Sequence, residues 1–136
     1  DLGLTAALHA MIEDFVTLKK TITASVKMDD LDGIFALPVQ TTIFRVVQEA
    51  LTNIGKHANP SHISVEITKT QDKVSFMVND DGTGFEKHSM AVERKTLGLL
   101  SMEERIKILG GSFELWSQKG RGTKVLFTIP LPSEGR

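Results

Sequence analysis

Gln48-Glu49-Ala50-Leu51-Thr52-Asn53-Ile54-Gly55-Lys56-His57-Ala58 is followed along the chain by Asn79-Asp80-Asp81-Gly82-Thr83-Gly84-Phe85. These two stretches, in this order, decide how the chain is read. The first puts a carboxylate and a carboxamide on one side of a helix whose other side is apolar. The second is an acidic, glycine-rich turn directly after a strand. A third cluster, Gly120-Arg121-Gly122-Thr123, opens the last strand. No G-x-x-x-x-G-K-[ST] sequence occurs, so a nucleotide site here would not be a P-loop.

Working outward, periodicity supplies the elements. Leu8, Met11, Ile12, Phe15 and Leu18 recur at three- and four-residue steps and predict a helix over Leu4–Lys20. Thr21–Met28 alternates Ile22, Ala24, Val26 and Met28 and reads as a strand. Pro38 suits a helix start, where its missing N–H costs nothing. The helix from Val39 to Ala58 turns Ile43, Val46, Val47, Ala50, Leu51 and Ile54 inward, and Asn59-Pro60 ends it.

His62–Lys69 and Lys73–Val78 alternate apolar and polar residues, with Thr70-Gln71-Asp72 as a hairpin turn. Glu86–Thr96 is polar, lacks clear periodicity and reads as a mobile loop. Leu97–Leu109 is a helix that Gly110-Gly111 stops, as a left-handed cap would. Ser112–Ser117 and Thr123–Leu131 are the last strands. The expected fold is α+β, a two-layer α/β sandwich whose mixed sheet carries helices on one face.

Composition narrows the class. The chain has 136 residues, 40% hydrophobic and 24% charged, as in one globular domain. A net charge of -1 gives no field that favours nucleic acid or acidic membranes. Cysteine is absent, which removes disulfides and zinc-thiolate sites. No apolar run approaches the roughly 20 residues of a membrane span. The chain opens on Asp1 rather than methionine, so it reads as part of something longer.

Glu49, Asn53 and His57 stand at i, i+4 and i+8, with Lys56 beside His57, so on a helix they share one stripe. A solvated face is the plain reading. The chemical one is that Asn53 gives a magnesium ion an oxygen ligand, phosphate oxygens and waters completing the shell. Glu49, one turn away, could hold a water or accept a proton. Asp80 at a strand end could accept a hydrogen bond from an exocyclic amine, which recognises adenine and rejects guanine. Gly82 and Gly84 would let backbone approach the base. The plain alternative is an ordinary Asp-Gly turn. Thr96-Leu97-Gly98-Leu99 opens a helix whose N–H groups could meet phosphate. His9, His57, His62 and His88 show no metal-ligand spacing, and His9 and His62 read as incidental.

The joint order is more specific than its parts. N-x-x-K-H-A, then D-x-G-x-G-F, then G-L-x-x-M-x-E-R, then L-G-G and G-x-G-T resembles the ATP-binding catalytic domain of sensor histidine kinases. That domain belongs to the GHKL superfamily with gyrase, Hsp90 and MutL. The similarity spans roughly Leu37 to Pro130, and Gln48–Asn53 with Met102–Arg105 looks most like the nitrate-sensor subfamily.

The resemblance implies a Bergerat-type sandwich and a set of roles. Asn53 would ligate Mg²⁺ bridging the ATP phosphates, and Glu49 would be general base or water positioner. Lys56 and His57 would contact phosphate or ribose. Asp80 would read the adenine amine, Gly82 and Gly84 would admit the base, and Thr123 would join its water network. Gly98 and Leu99 would close the phosphate end. Phe85–Leu97 would be the ATP lid.

It implies further that residues 1–20 link from a dimerisation domain, that 21–132 form the catalytic domain and that 133–136 are a tail. The γ-phosphoryl group would pass to a histidine on that dimerisation domain and then to a response-regulator aspartate. A cytoplasmic, monomeric fragment is expected, from a parent compatible with an inner-membrane anchor. Two departures stand out. Thr96 occupies a position where the family has glycine, and His9 lacks the acidic setting of an acceptor histidine. The alternatives are a GHKL anti-sigma-type serine kinase and a non-catalytic docking module.

Overall fold

The computed structural model describes residues 3–84 and 98–132. In chain order these form α1 (Leu4–Lys19), β1 (Thr23–Met28), α2 (Leu37–Asn53), a π turn (Ile54–Ala58), β2 (His62–Lys69), β3 (Lys73–Asp80), α3 (Leu99–Ile108), β4 (Ser112–Gln118) and β5 (Gly122–Pro130). The lid assigned to Phe85–Leu97 and the 133–136 tail fall outside the described residues.

The five strands make one sheet in the order β1-β2-β3-β5-β4. β1 runs parallel to β2, and the other neighbours are antiparallel. Strict alternation gives the sheet one apolar face: Ile63, Val65 and Ile67 on β2, Val74, Phe76 and Val78 on β3, and Val125, Phe127 and Ile129 on β5 are all buried. Phe76 and Phe127 stack at its centre with ring centroids 4.5 Å apart. The helices cover this face with Leu4, Leu8 and Ile12 of α1, Ile43, Val46, Val47, Ala50 and Leu51 of α2, and Leu99, Met102 and Ile106 of α3. The expected mixed sheet with helices on one face is what the chain forms.

Local chemistry sets the ends. Pro38 lies in the first turn of α2, where no donor is missed. At the end of α3, Gly110 takes φ +81; its N–H donates to the Lys107 carbonyl at 2.9 Å and the Gly111 N–H to Ile106 at 3.0 Å. This bond pair is a Schellman cap, so the Gly-Gly stop is real. The connector 29–36 folds back on the start of α1. There Asp32 Oδ1 accepts from the Thr5 N–H at 3.1 Å, and Thr5 Oγ1 accepts from the Leu31 N–H at 2.8 Å.

Three expectations change. Leu18 is 80% exposed, because it sits about 80° round α1 from the centre of the Leu4–Leu8–Ile12 stripe and in the last turn. β3 runs through Asp80 rather than ending at Val78, so Asp80 continues the inward alternation of Val74, Phe76 and Val78. The helix read as continuous to Ala58 is α-helical only to Asn53 and then makes a π turn. Such turns insert extra backbone into a helix and recur at functional sites. Asn59, with φ 47 and ψ 54, closes it in the left-handed region.

Candidate nucleotide site

Around the C-terminal end of β3 lie four of the predicted residues, Asp80, Gly82, Gly84 and Thr123. Asp80 is the last residue of β3, paired with Ile63 on one side and Thr123 on the other. It is 3% exposed and is the buried charged residue of the described core. Its Oδ1 accepts from the Gly82 N–H at 2.8 Å. Burial pushes its carboxyl above the ordinary value of 3.8; the backbone N–H of Gly82 opposes this, the neighbouring Asp81 adds to it, and the N–H of Thr123 opposes it.

Glycine is required here for space. A Cβ on Gly82 would lie 2.2 Å from the Ala58 carbonyl oxygen, and one on Gly84, at φ +62, would lie 2.2 Å from that of Gln118. The turn therefore lies flat against two backbone segments. The Thr83 N–H donates to the Ala58 carbonyl at 2.8 Å, and the Gly120 N–H to the Thr83 carbonyl at 2.6 Å. The turn thus touches both the end of the Asn53 helix region and the β4–β5 hairpin. Thr123 Oγ1 is 2.9 Å from Ser117 Oγ, which also donates to the Gly122 carbonyl at 3.0 Å. No motif in the sequence singles out Ser117; its register opposite Thr123 is the signal that identifies it.

The second half of the site lies along α2. Glu49 is half-buried, Asn53 ends the α-helical part, and Lys56 is exposed on the π turn. The backbone of His57 belongs to the π turn; its side chain lies outside the described residues. The i, i+4 phase thus carries from Glu49 to Asn53 but not unbroken to His57. Gly98, at φ +72, caps α3 and faces Glu49: a Cβ there would lie 3.3 Å from Glu49 Oε1. Leu99 is 2% exposed with its side chain in the core, so only its backbone could meet a ligand. A cavity of about 280 Å³ opens beside Glu49, lined by Arg45, Gln48, Gly98, Ser101 and Arg105. Arg45 stands four residues before Glu49, and that spacing could have revealed it.

Could this site suit a metal? A carboxamide oxygen at Asn53 fits magnesium, which takes oxygen ligands and retains waters. Among the described residues no group of three or more His, Asp or Glu could hold a metal ion alone. Phosphate oxygens and waters would supply the rest of the shell.

The family model described as histidine kinase-, DNA gyrase B-, and HSP90-like ATPase matches residues 39–133, and the chain belongs to that family. It is 37% identical over 93 residues to the signal transduction histidine-protein kinase/phosphatase DegS of Bacillus subtilis, covering 68% of this chain and 24% of that protein. It is 35% identical over 99 residues to an uncharacterized sensor-like histidine kinase of Chloroflexus aurantiacus, covering 70% of this chain and 17% of that one. The chain therefore spans a quarter or less of these curated relatives. Its fold matches the histidine kinase domain of the Erythrobacter litoralis EL346 blue-light activated histidine kinase with a TM-score of 0.81 at 23% identity, covering 96% of this chain and 62% of that one. The resemblance to histidine kinase ATP-binding domains is thereby established. No helix among the described residues is long and apolar enough to cross a membrane.

Proposed function

We propose that the chain binds Mg·ATP and presents its γ-phosphoryl group to a histidine on a dimerisation domain, for relay to a response-regulator aspartate. The observation that carries this reading is Asp80, a buried carboxylate at a strand end whose Oδ1 accepts from the Gly82 N–H, in a turn that its glycines let pack flat on neighbouring backbone. In this reading Asp80 accepts from the adenine amine, and Thr123 with Ser117 holds water beside it. Asn53 holds Mg²⁺, which when bound neutralises phosphate charge. Glu49 orients a water or takes a proton. Lys56 and His57 face phosphate or ribose, and the Gly98 and Leu99 backbone closes the phosphate end. Catalysis is then positioning plus charge neutralisation. Helix α1 is the connection to the dimerisation domain. The parent works in the cytoplasm, with or without a membrane anchor.

Two outcomes are expected. Asn53→Ala should bind ATP analogue about tenfold more weakly with magnesium and show little response to its removal. Titrations with and without the metal check this, and trans-phosphorylation of a supplied dimerisation domain tests the transfer. The second concerns pH. Oδ1 of Asp80 is already taken by the Gly82 N–H, so protonation puts a donor on the second oxygen, and an amine is accepted best by the ionised carboxylate. Its carboxyl is raised, so affinity should hold at neutral pH and begin to fall while pH is still above 3.8. The stability sign is opposite. Asp80 contributes its full stability below 3.8, and this is lost as pH rises through the raised folded value. The free protein therefore carries a cost at neutral pH that a bound amine offsets. Affinity measured across mildly acidic pH should show this fall in the wild type and not in Asp80→Asn.

A further inference from the structure

We propose that Asp81 is a positioning residue for the nucleotide site, resting on the reading above. Its carboxylate clamps the Asp80–Gly84 turn to the segment that leaves the Asn53 helix. Asp81 Oδ1 accepts from the Ser61 N–H at 2.8 Å and from the His62 N–H at 2.9 Å. The Asp81 N–H returns a bond to the His62 carbonyl at 3.2 Å. One residue further, Gly82 lies flat on the Ala58 carbonyl, and the Thr83 N–H donates to that same oxygen. Residues 58–62 and 80–83 are thus laced together, with an exposed side chain making the outermost pair of bonds.

The placement gives these bonds a functional consequence. The 58–62 segment is the direct continuation of Asn53 and the π turn. The 80–84 turn starts at Asp80. Asp81 therefore sets the offset between the helix that would hold metal and phosphate and the carboxylate that would read the base. The adjacent aspartates divide the work: Asp80 continues the inward alternation of β3, and Asp81 turns outward onto backbone donors. The same donors, His62 first, hold the Asp81 carboxyl below its ordinary range. A carboxylate that accepts charge-assisted backbone N–H bonds keeps a fixed rotamer and so holds the backbone that carries it.

The test uses calorimetric titration of Mg·ATP and Mg·GTP analogues into the wild type, Asp81→Asn, Asp81→Ala and Ile12→Val. Asn keeps an acceptor oxygen; Ala removes it. Ile12 lies in the core on α1, takes no part in the clamp's hydrogen bonds, and controls for loss of stability alone. Asp81→Ala should bind the ATP analogue about tenfold more weakly, with a narrowed preference for adenine. Asp81→Asn and Ile12→Val should stay within about threefold of wild type. Wild-type affinity in Asp81→Ala would overturn the proposal, and so would an equal loss in Asp81→Asn or Ile12→Val. If the wild type itself binds no nucleotide, the functional reading fails instead. The clamp is then read by hydrogen exchange at the Ser61 and His62 amides, which Asp81→Ala should accelerate at least about tenfold. Unchanged exchange would refute the clamp.

Discussion

Asp80→Asn is expected to weaken Mg·ATP binding by about ten- to a hundredfold and to erase the preference for adenine over guanine. The carboxylate ends β3 in a buried position and already accepts from the Gly82 N–H. Asn can keep that bond with its one oxygen. Its amide then points donors where the carboxylate offered an acceptor, so an adenine amine would meet a donor. Losing a hydrogen bond to a charged group costs about 1.5–3 kcal/mol, and each 1.4 kcal/mol is about tenfold in affinity. Guanine carries an oxygen at the equivalent position and would lose little. Calorimetry with both analogues gives the two affinities, and a thermal melt shows that the variant is folded. Unchanged affinity would mean that the base is not read at Asp80.

Gly122→Ala should have the largest effect on stability. Gly122 adopts φ +91, and a Cβ there would lie 1.9 Å from the Asp80 carbonyl oxygen and 3.0 Å from Asp81 Cα. Both obstacles are backbone, so no rotamer change relieves them. Relief requires pulling β5 from β3 at the Asp80–Thr123 pair, which also disturbs the proposed nucleotide site. Left-handed strain of about 1–2 kcal/mol and overpacking of about 1–3 kcal/mol together give about 2–5 kcal/mol, centred near about 3 kcal/mol. In a domain of this size that lowers the melting temperature by about 10 °C. Gly120→Ala is the matched control. Gly120 has φ +82 but nothing within 4 Å of a built Cβ, so only the strain of about 1 kcal/mol applies. Urea or thermal unfolding distinguishes the two, and equal midpoints would show that the close approach at Gly122 carries no energy.

The two glycines illustrate what was legible in the sequence and what was not. Gly120-Arg121-Gly122 announces a hairpin, and a hairpin is there. Nothing in the local sequence says that one glycine faces open space and the other a carbonyl oxygen, because that contact is made by a strand distant in sequence. The elements themselves were readable, since apolar residues repeat at the helical period in α2 and α3 and at the strand period in β2, β3 and β5. The π turn was not: Ile54 and Ala58 fit a continuing α-helix equally well, and Gly55 is only a weak hint. Asp80 could have been assigned inward by extending the alternation of β3 by one more step. Asp81 could not, because its partners Ser61 and His62 come from a preceding segment and are backbone atoms without a sequence signature.

The most direct test of the central claim is titration of Mg·ATP analogue and Mg·GTP analogue into the wild-type chain. Saturable binding of the adenine nucleotide, at least about tenfold tighter than that of the guanine nucleotide, is the predicted result. No binding at about millimolar nucleotide, or equal binding of both, would contradict it.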